Sequence, residues 1–94
     1  AKGAIASLTR QWATEWAKYG IRVNAIMPTF VDTPQVAMLL GDPKFKQGIV
    51  DRIPLGRVGE TKDIVGPAIF LVSDAASFVT GQVLGIDGGL TATQ

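Results

Sequence analysis

The 94-residue chain contains no cysteine and no histidine. That excludes disulfides, thiolate metal sites and any Ser–His or Cys–His nucleophilic pair built from these residues alone. Its carboxylates form no cluster along the sequence, so no metal site is expected. Charged residues are few, at 18%, against 47% hydrophobic. Such a composition is incompatible with a highly charged disordered segment. The formal net charge is +1, and the lysines and arginines are scattered. Nothing in that distribution marks a nucleic-acid or anionic-membrane partner. Apolar stretches are broken by Asp, Gly or Pro well short of a membrane span, and the first residues show no charged-plus-apolar leader pattern. The expectation is a cytoplasmic chain with neither nucleic acid nor membrane as partner.

What remains is a regular alternation of elements. Residues 3–19 read as a helix, with Ile5, Leu8, Trp12 and Trp16 on one apolar stripe. The alanines at 4, 6, 13 and 17 keep the rest of that surface small. Gly20 is the expected stop. "IRVNAIM" (21–27) reads as a strand that Pro28 ends. Two short helices fit the stretch up to Arg57, near 35–40 and near 44–52. Asp42 is the expected N-cap of the second, with Pro43 at its first position. "TKDIVGPAIFLVSD" predicts a mostly apolar helix over 61–73, with Pro67 forcing either a kink or a regular part that starts near Gly66. A turn at Thr80-Gly81 and a strand near 82–86 close the pattern. Strand, crossover helix, strand is a βαβ unit, so the class is α/β with two parallel neighbouring strands. Two strands alone leave unpaired edges.

Four landmarks in order carry a resemblance. They are "AK" opening a helix, "EWAKYGIRVNAI" crossing into a strand, "PTFVDTP", and "IPLGRVGETKDI…FLVSDAASFVTGQVLGIDGG". Over nearly the whole chain they resemble the C-terminal part of a short-chain dehydrogenase/reductase. That resemblance implies part of a Rossmann-type, doubly wound parallel sheet, ordered helix–strand–lid helices–helix–strand, in one domain over 1–94. It also implies NAD or NADP as cofactor, a small carbonyl or alcohol substrate, and a homo-oligomer, dimer or tetramer. "PTFVDTP" with its following lid, at about 34–57, is most similar to sugar- and polyol-type members such as gluconate 5-dehydrogenase-like proteins. The 3-oxoacyl-carrier-protein reductases come next.

The same resemblance assigns site residues. Lys2 matches the lysine of the family's Tyr-x-x-x-Lys pair, where residues four apart share a helix face. An ammonium there lowers the pKa of the tyrosine phenol and contacts the nicotinamide ribose. Read without the family, Lys2 is a solvated lysine at a helix start. Tyr19 cannot serve as the partner, being about 25 Å away along the helix at about 1.5 Å per residue. "PTFVDTP" matches the pattern Pro-Gly-x-x-x-Thr, which implies cofactor contacts from Pro28, Thr29, Val31 and Thr33. Thr29 replaces the usual glycine, so a left-handed backbone is not expected at that residue. Thr33-Pro34 also reads as a plain turn or helix cap. Val36, Met38, Leu39, Leu40 and Phe45 of the lid either face a substrate or pack. Asn24 reads as structural, and Arg22 and Asp63 as surface or interface charges. Asp87-Gly88-Gly89 is similar to the family's terminal DGG and carries no catalytic expectation.

No stretch here matches the family's Gly-rich phosphate loop, its catalytic serine or its tyrosine. The expected activity is hydride transfer between nicotinamide and a carbonyl or alcohol in a complete chain. These residues alone are expected to be inactive, with self-association or partner binding as the alternative role.

Overall fold

The computed structural model describes residues 2–34 and 36–93. Helix α1 (Lys2–Trp16) runs into a 3₁₀ turn, Ala17–Tyr19. Strand β1 is Ala25–Pro28, followed by helices α2 (Ala37–Leu40), α3 (Pro43–Arg52) and α4 (Thr61–Val72), then strand β2 (Val83–Ile86). The two strands pair in one sheet. The amides of Ala25 and Thr29 donate to the carbonyls of Gln82 and Ile86 at 2.9 and 3.2 Å. Equal steps in the same direction on both strands make the pairing parallel, as the βαβ pattern required. Among the described residues, no helix is long and apolar enough to cross a membrane.

One compact unit comprises the residues up to Met27 together with Gly66–Leu84. In it, α1 ends in a Schellman motif: Gly20 lies at φ 75°, and its amide reaches the Ala17 carbonyl at 2.9 Å. The Ile21 amide reaches the Trp16 carbonyl at 3.3 Å. The buried line of α1 is Thr9 and Ala13, beside the apolar stripe rather than along it. The Thr9 hydroxyl satisfies itself on the Ile5 carbonyl at 2.7 Å. Trp12 and Trp16 stack on one another at 5.4 Å and stay about two-fifths exposed, at 40% and 37%.

The expected strand over 21–27 begins only at Ala25, because side chains take over its first pairings. The Val23 amide donates to the Thr80 hydroxyl and the Gly81 amide to the Val23 carbonyl. The Asn24 amide group joins the Val79 carbonyl and the Gln82 amide, at 3.0 and 3.1 Å. Pro28 is the last residue of the strand, which ends there. With Ala25 and Thr29 donating toward β2, alternation turns the Pro28 nitrogen to the other edge, so its missing N–H costs no bond to β2.

Helix α4 starts at Thr61 and contains Pro67, so its regular part does not wait for Gly66. Arg22 is no surface charge. Half-buried, its guanidinium donates to the carbonyls of Leu71, Val79 and Ser73 at 2.9, 3.2 and 3.3 Å. The carbonyls ending a helix lack intrahelical donors, and a cation there also meets the negative end of the helix dipole.

The other unit comprises Pro28–Val65 and the residues from Gly85 on. Asp42 caps α3 as the sequence predicts, its carboxylate accepting from the Lys44 amide at 3.0 Å with Pro43 at the first turn. Ile49, Ile53 and Val58 form a small core, with Leu40 and Val50 packed on it. Full burial of an Ile side chain is worth about 1.5–3 kcal/mol, so this cluster holds α2 and α3 in place. Of the other apolar residues singled out in this stretch, Met38, Leu39 and Phe45 are exposed and Val36 is half-buried. The helix expected near 35–40 is observed from Ala37; its expected first residue, Gln35, lies outside the described residues.

Candidate functional site

Parallel strands put their carboxyl ends on the same side of a sheet, which is where open α/β sheets take ligands. Thr29 follows β1 and Asp87 follows β2. Between them and the segment after α3 opens a cavity of about 490 Å³, whose lining includes Thr29, Val31, Arg57, Gly59, Asp63 and Asp87.

The loop after β1 is held on both sides of a bend. The Thr29 amide bonds the Ile86 carbonyl. Phe30 then adopts φ 52°, the only non-glycine residue with positive φ among those described. A phenylalanine there costs about 1–2 kcal/mol, so its surroundings must impose it. Thr29, which stands where the family pattern has glycine, is indeed not left-handed; the bend falls one residue later. Val31 forms a parallel bridge with Gly59. The bonds come from its neighbours: the Gly59 amide donates to the Phe30 carbonyl at 2.9 Å, and the Asp32 amide to the Gly59 carbonyl at 2.8 Å. In a parallel ladder the bridged residue's own N–H and C=O point to the opposite edge. Among the described residues, neither of those two groups of Val31 makes a hydrogen bond. Val31 therefore presents a donor and an acceptor side by side on a fixed backbone, which suits a primary carboxamide.

The segment that carries Gly59 is tied on both sides by a charged pair. Arg57 meets Asp63 in a two-pronged pair, Nη1–Oδ2 at 2.8 Å and Nη2–Oδ1 at 3.3 Å. The Asp63 carboxylate also accepts from the Glu60 amide at 2.8 Å, closing the first turn of α4 as the third-position half of a capping box. The Arg57 hydrogen bond is the main cause that holds the Asp63 carboxyl at about 2, with the Glu60 amide next and partial desolvation opposing both. The same contact raises the Arg57 guanidinium further above its ordinary value. Asp63, read from sequence as a surface or interface charge, is in fact the knot of this corner.

After β2, the Asp87 carboxylate accepts from the Gly89 and Thr91 amides at 2.9 and 3.3 Å. The Leu55 amide donates to the Gly88 carbonyl at 3.0 Å. Gly88 sits at φ +63°, where a Cβ would come within 2.6 Å of Ile53 Cγ2. The DGG run thus ties the last strand to the Ile53–Leu55 segment that follows α3.

Of the residues singled out in the sequence, Thr29 and Val31 come together at the cavity. Pro28 and Thr33 are not among its lining residues. Thr33 accepts the Val36 and Ala37 amides on its carbonyl at 3.1 and 2.9 Å, which is the turn-and-cap role. Lys2 is the first residue of α1, and its side chain lies outside the described residues. Sequence reasoning missed Phe30, Arg57 and Gly59. An acidic residue three beyond Glu60 is a capping signal that could have flagged the Arg57–Asp63 corner; the Phe30 bend has no local signal.

The model of the family described as enoyl-(acyl carrier protein) reductase matches residues 1–91. A tropinone reductase homolog of Arabidopsis thaliana is 49% identical over 90 residues, covering 96% of this chain and 34% of its own. Gluconate 5-dehydrogenase of Gluconobacter oxydans (strain 621H) is 41% identical over 92 residues, covering 98% of this chain and 36% of that protein. The crystal structure of a gluconate 5-dehydrogenase from Burkholderia cenocepacia J2315, in complex with NADP and tartrate, superposes with a TM-score of 0.88 at 42% identity. It covers 97% of this chain and 36% of the other. The chain thus spans about a third of the length of the curated relatives it matches, and its α/β fold corresponds to part of their Rossmann-type sheet.

Proposed function

Because this chain belongs to the short-chain dehydrogenase/reductase family, we propose that the whole protein is an NAD(P)-dependent oxidoreductase acting on a small alcohol or carbonyl, with a sugar, polyol or sugar acid as substrate. The observation that carries this reading is Val31, whose unused amide and carbonyl stand at the carboxyl edge of the sheet beside the cavity. There they would hold the carboxamide of a nicotinamide. When bound, that group donates or accepts the hydride. The chain's own residues do the rest. Thr29 and Pro28 shape the loop's approach, and Thr33 supplies a hydroxyl to the cofactor's polar side. Lys2 at the head of α1 holds a tyrosine four residues before it as tyrosinate near neutral pH, so that the phenol can pass a proton to or from the substrate oxygen. The relatives named as gluconate dehydrogenases, one of them holding NADP and tartrate, support the substrate class.

The test is oxidation of gluconate and a panel of polyols by the whole protein with NAD⁺ and NADP⁺, followed at 340 nm (the absorbance band of the reduced nicotinamide). The expectation is turnover with at least one sugar acid or polyol, and a loss of about 10²-fold or more in kcat for Lys2→Ala. Unchanged kcat in Lys2→Ala at neutral pH would remove the role given to that lysine. Turnover confined to 3-oxoacyl thioesters would overturn the substrate class.

A further inference from the structure

The left-handed bend at Phe30 needs an external support, and the chain supplies it from the Arg57–Asp63 corner. We propose that Asp63 is a positioning residue for the nicotinamide end of the cofactor, acting through Arg57 and Gly59 on Val31. The proposal rests on the cofactor reading given above.

Four consecutive links make the case. The Asp63 carboxylate fixes the Glu60 amide at 2.8 Å and the Arg57 guanidinium at 2.8 Å. Arg57 in turn donates to the Val58 carbonyl at 3.1 Å, so residues 57–60 are pinned around one carboxylate. Gly59, in the middle of that segment, clasps the Phe30 carbonyl and the Asp32 amide. Those two bonds bracket Val31 and leave its own N–H and C=O facing away. A strained residue persists only where its neighbours over-determine it. Cutting the pair frees Gly59 and lets the Phe30 bend relax, which turns the Val31 groups. Gly59 lies against the same groups: a Cβ there would stand in ordinary contact, 3.4 Å from Val31 Cγ2 and 3.9 Å from Asp63 Oδ2. The Lys62–Glu60 pair at 3.2 Å is exposed on both sides and reaches neither Gly59 nor the loop.

ADP-ribose carries the cofactor's adenosine and diphosphate but no nicotinamide, so it separates positioning from general damage. Binding of NADH, NADPH and ADP-ribose to the whole protein is titrated by tryptophan fluorescence for wild type and Asp63→Asn. The expected result is a Kd for the reduced dinucleotide about fivefold or more weaker in Asp63→Asn, with the ADP-ribose Kd unchanged. Arg57→Gln cuts the same link from its exposed side and carries the test if Asp63→Asn does not fold. Arg57→Lys, which keeps the charge but loses the two-pronged geometry, should fall between. Equal weakening of dinucleotide and ADP-ribose, or no weakening of either, overturns the positioning role. A wild type that binds ADP-ribose but gains nothing from the nicotinamide overturns the placing of Val31 as the carboxamide grip, a failure visible before any variant is made.

Discussion

Arg22 offers the sharpest quantitative test of the fold. Arg22→Met keeps the apolar stem and deletes the guanidinium, which strips the Leu71 carbonyl of its donor, while the Val79 and Ser73 carbonyls lose one donor each and keep the Asn24 and Ala76 amides. A hydrogen bond to a charged group contributes about 1.5–3 kcal/mol. Three such bonds would sum to about 4.5–9 kcal/mol, but they share one side chain and are not additive. Arg22 is only half-buried, so water can reach part of the vacated site. Its longest contact, at 3.3 Å, is also weak. The expected loss is therefore about 2–3 kcal/mol, the value of one good charged bond plus part of a second. Arg22→Lys should recover less than half, since an ammonium on a flexible stem cannot reproduce the fork. Urea unfolding of the whole protein, followed by tryptophan fluorescence and far-UV circular dichroism together, reads the change as a shift in midpoint at constant slope. A loss below about 0.5 kcal/mol, the range of ordinary surface substitutions, would show that Arg22 is the solvated charge its sequence context implied. Full recovery in Arg22→Lys would refute the geometric part of the reasoning.

Three further outcomes follow, one from the Arg57–Asp63 corner and two from glycines. The Asp63 carboxyl is depressed to about 2 by the Arg57 hydrogen bond first and the Glu60 amide second, with Lys62 a lesser contributor. A depressed folded pKa contributes stability above the unfolded value, near 3.9, and that contribution is lost as pH falls through about 4 toward 2. Acid unfolding of wild type and Asp63→Asn should therefore converge in that window, and curves that stay parallel through it would contradict the assignment. Gly88→Ala places a Cβ 2.6 Å from Ile53 Cγ2 at φ +63°. With about 1–2 kcal/mol for the left-handed backbone and about 1–3 for overpacking, the expected loss is about 2–5 kcal/mol by urea denaturation. Gly48→Ala, inside α3 with nothing within 4 Å, should instead stabilise by about 0.5–1 kcal/mol.

The elements themselves are local matters, and the sequence alone determined them well. The stop at Gly20, the Asp42–Pro43 start of α3 and the parallel pairing of the two strands follow from residue types at fixed offsets. So does family membership, because ordered motifs over the whole chain are a property of sequence. What the tertiary structure alone decided is where polar groups find partners across long separations. Arg22 looks like a strand's outward charge until the carbonyls ending α4 are placed beside it, 49 and 51 residues away. The start of β1 moved because Asn24 donates to the Val79 carbonyl and the Val23 amide donates to the Thr80 hydroxyl, each across a similar gap. The left-handed bend is invisible in "PTFVDTP", since nothing local favours φ 52° in a phenylalanine. Gly59, 29 residues on, is bonded to the Phe30 carbonyl and flanks the bend. Periodicity and capping report short-range sterics; strain and distant hydrogen bonds exist only once the chain has closed on itself.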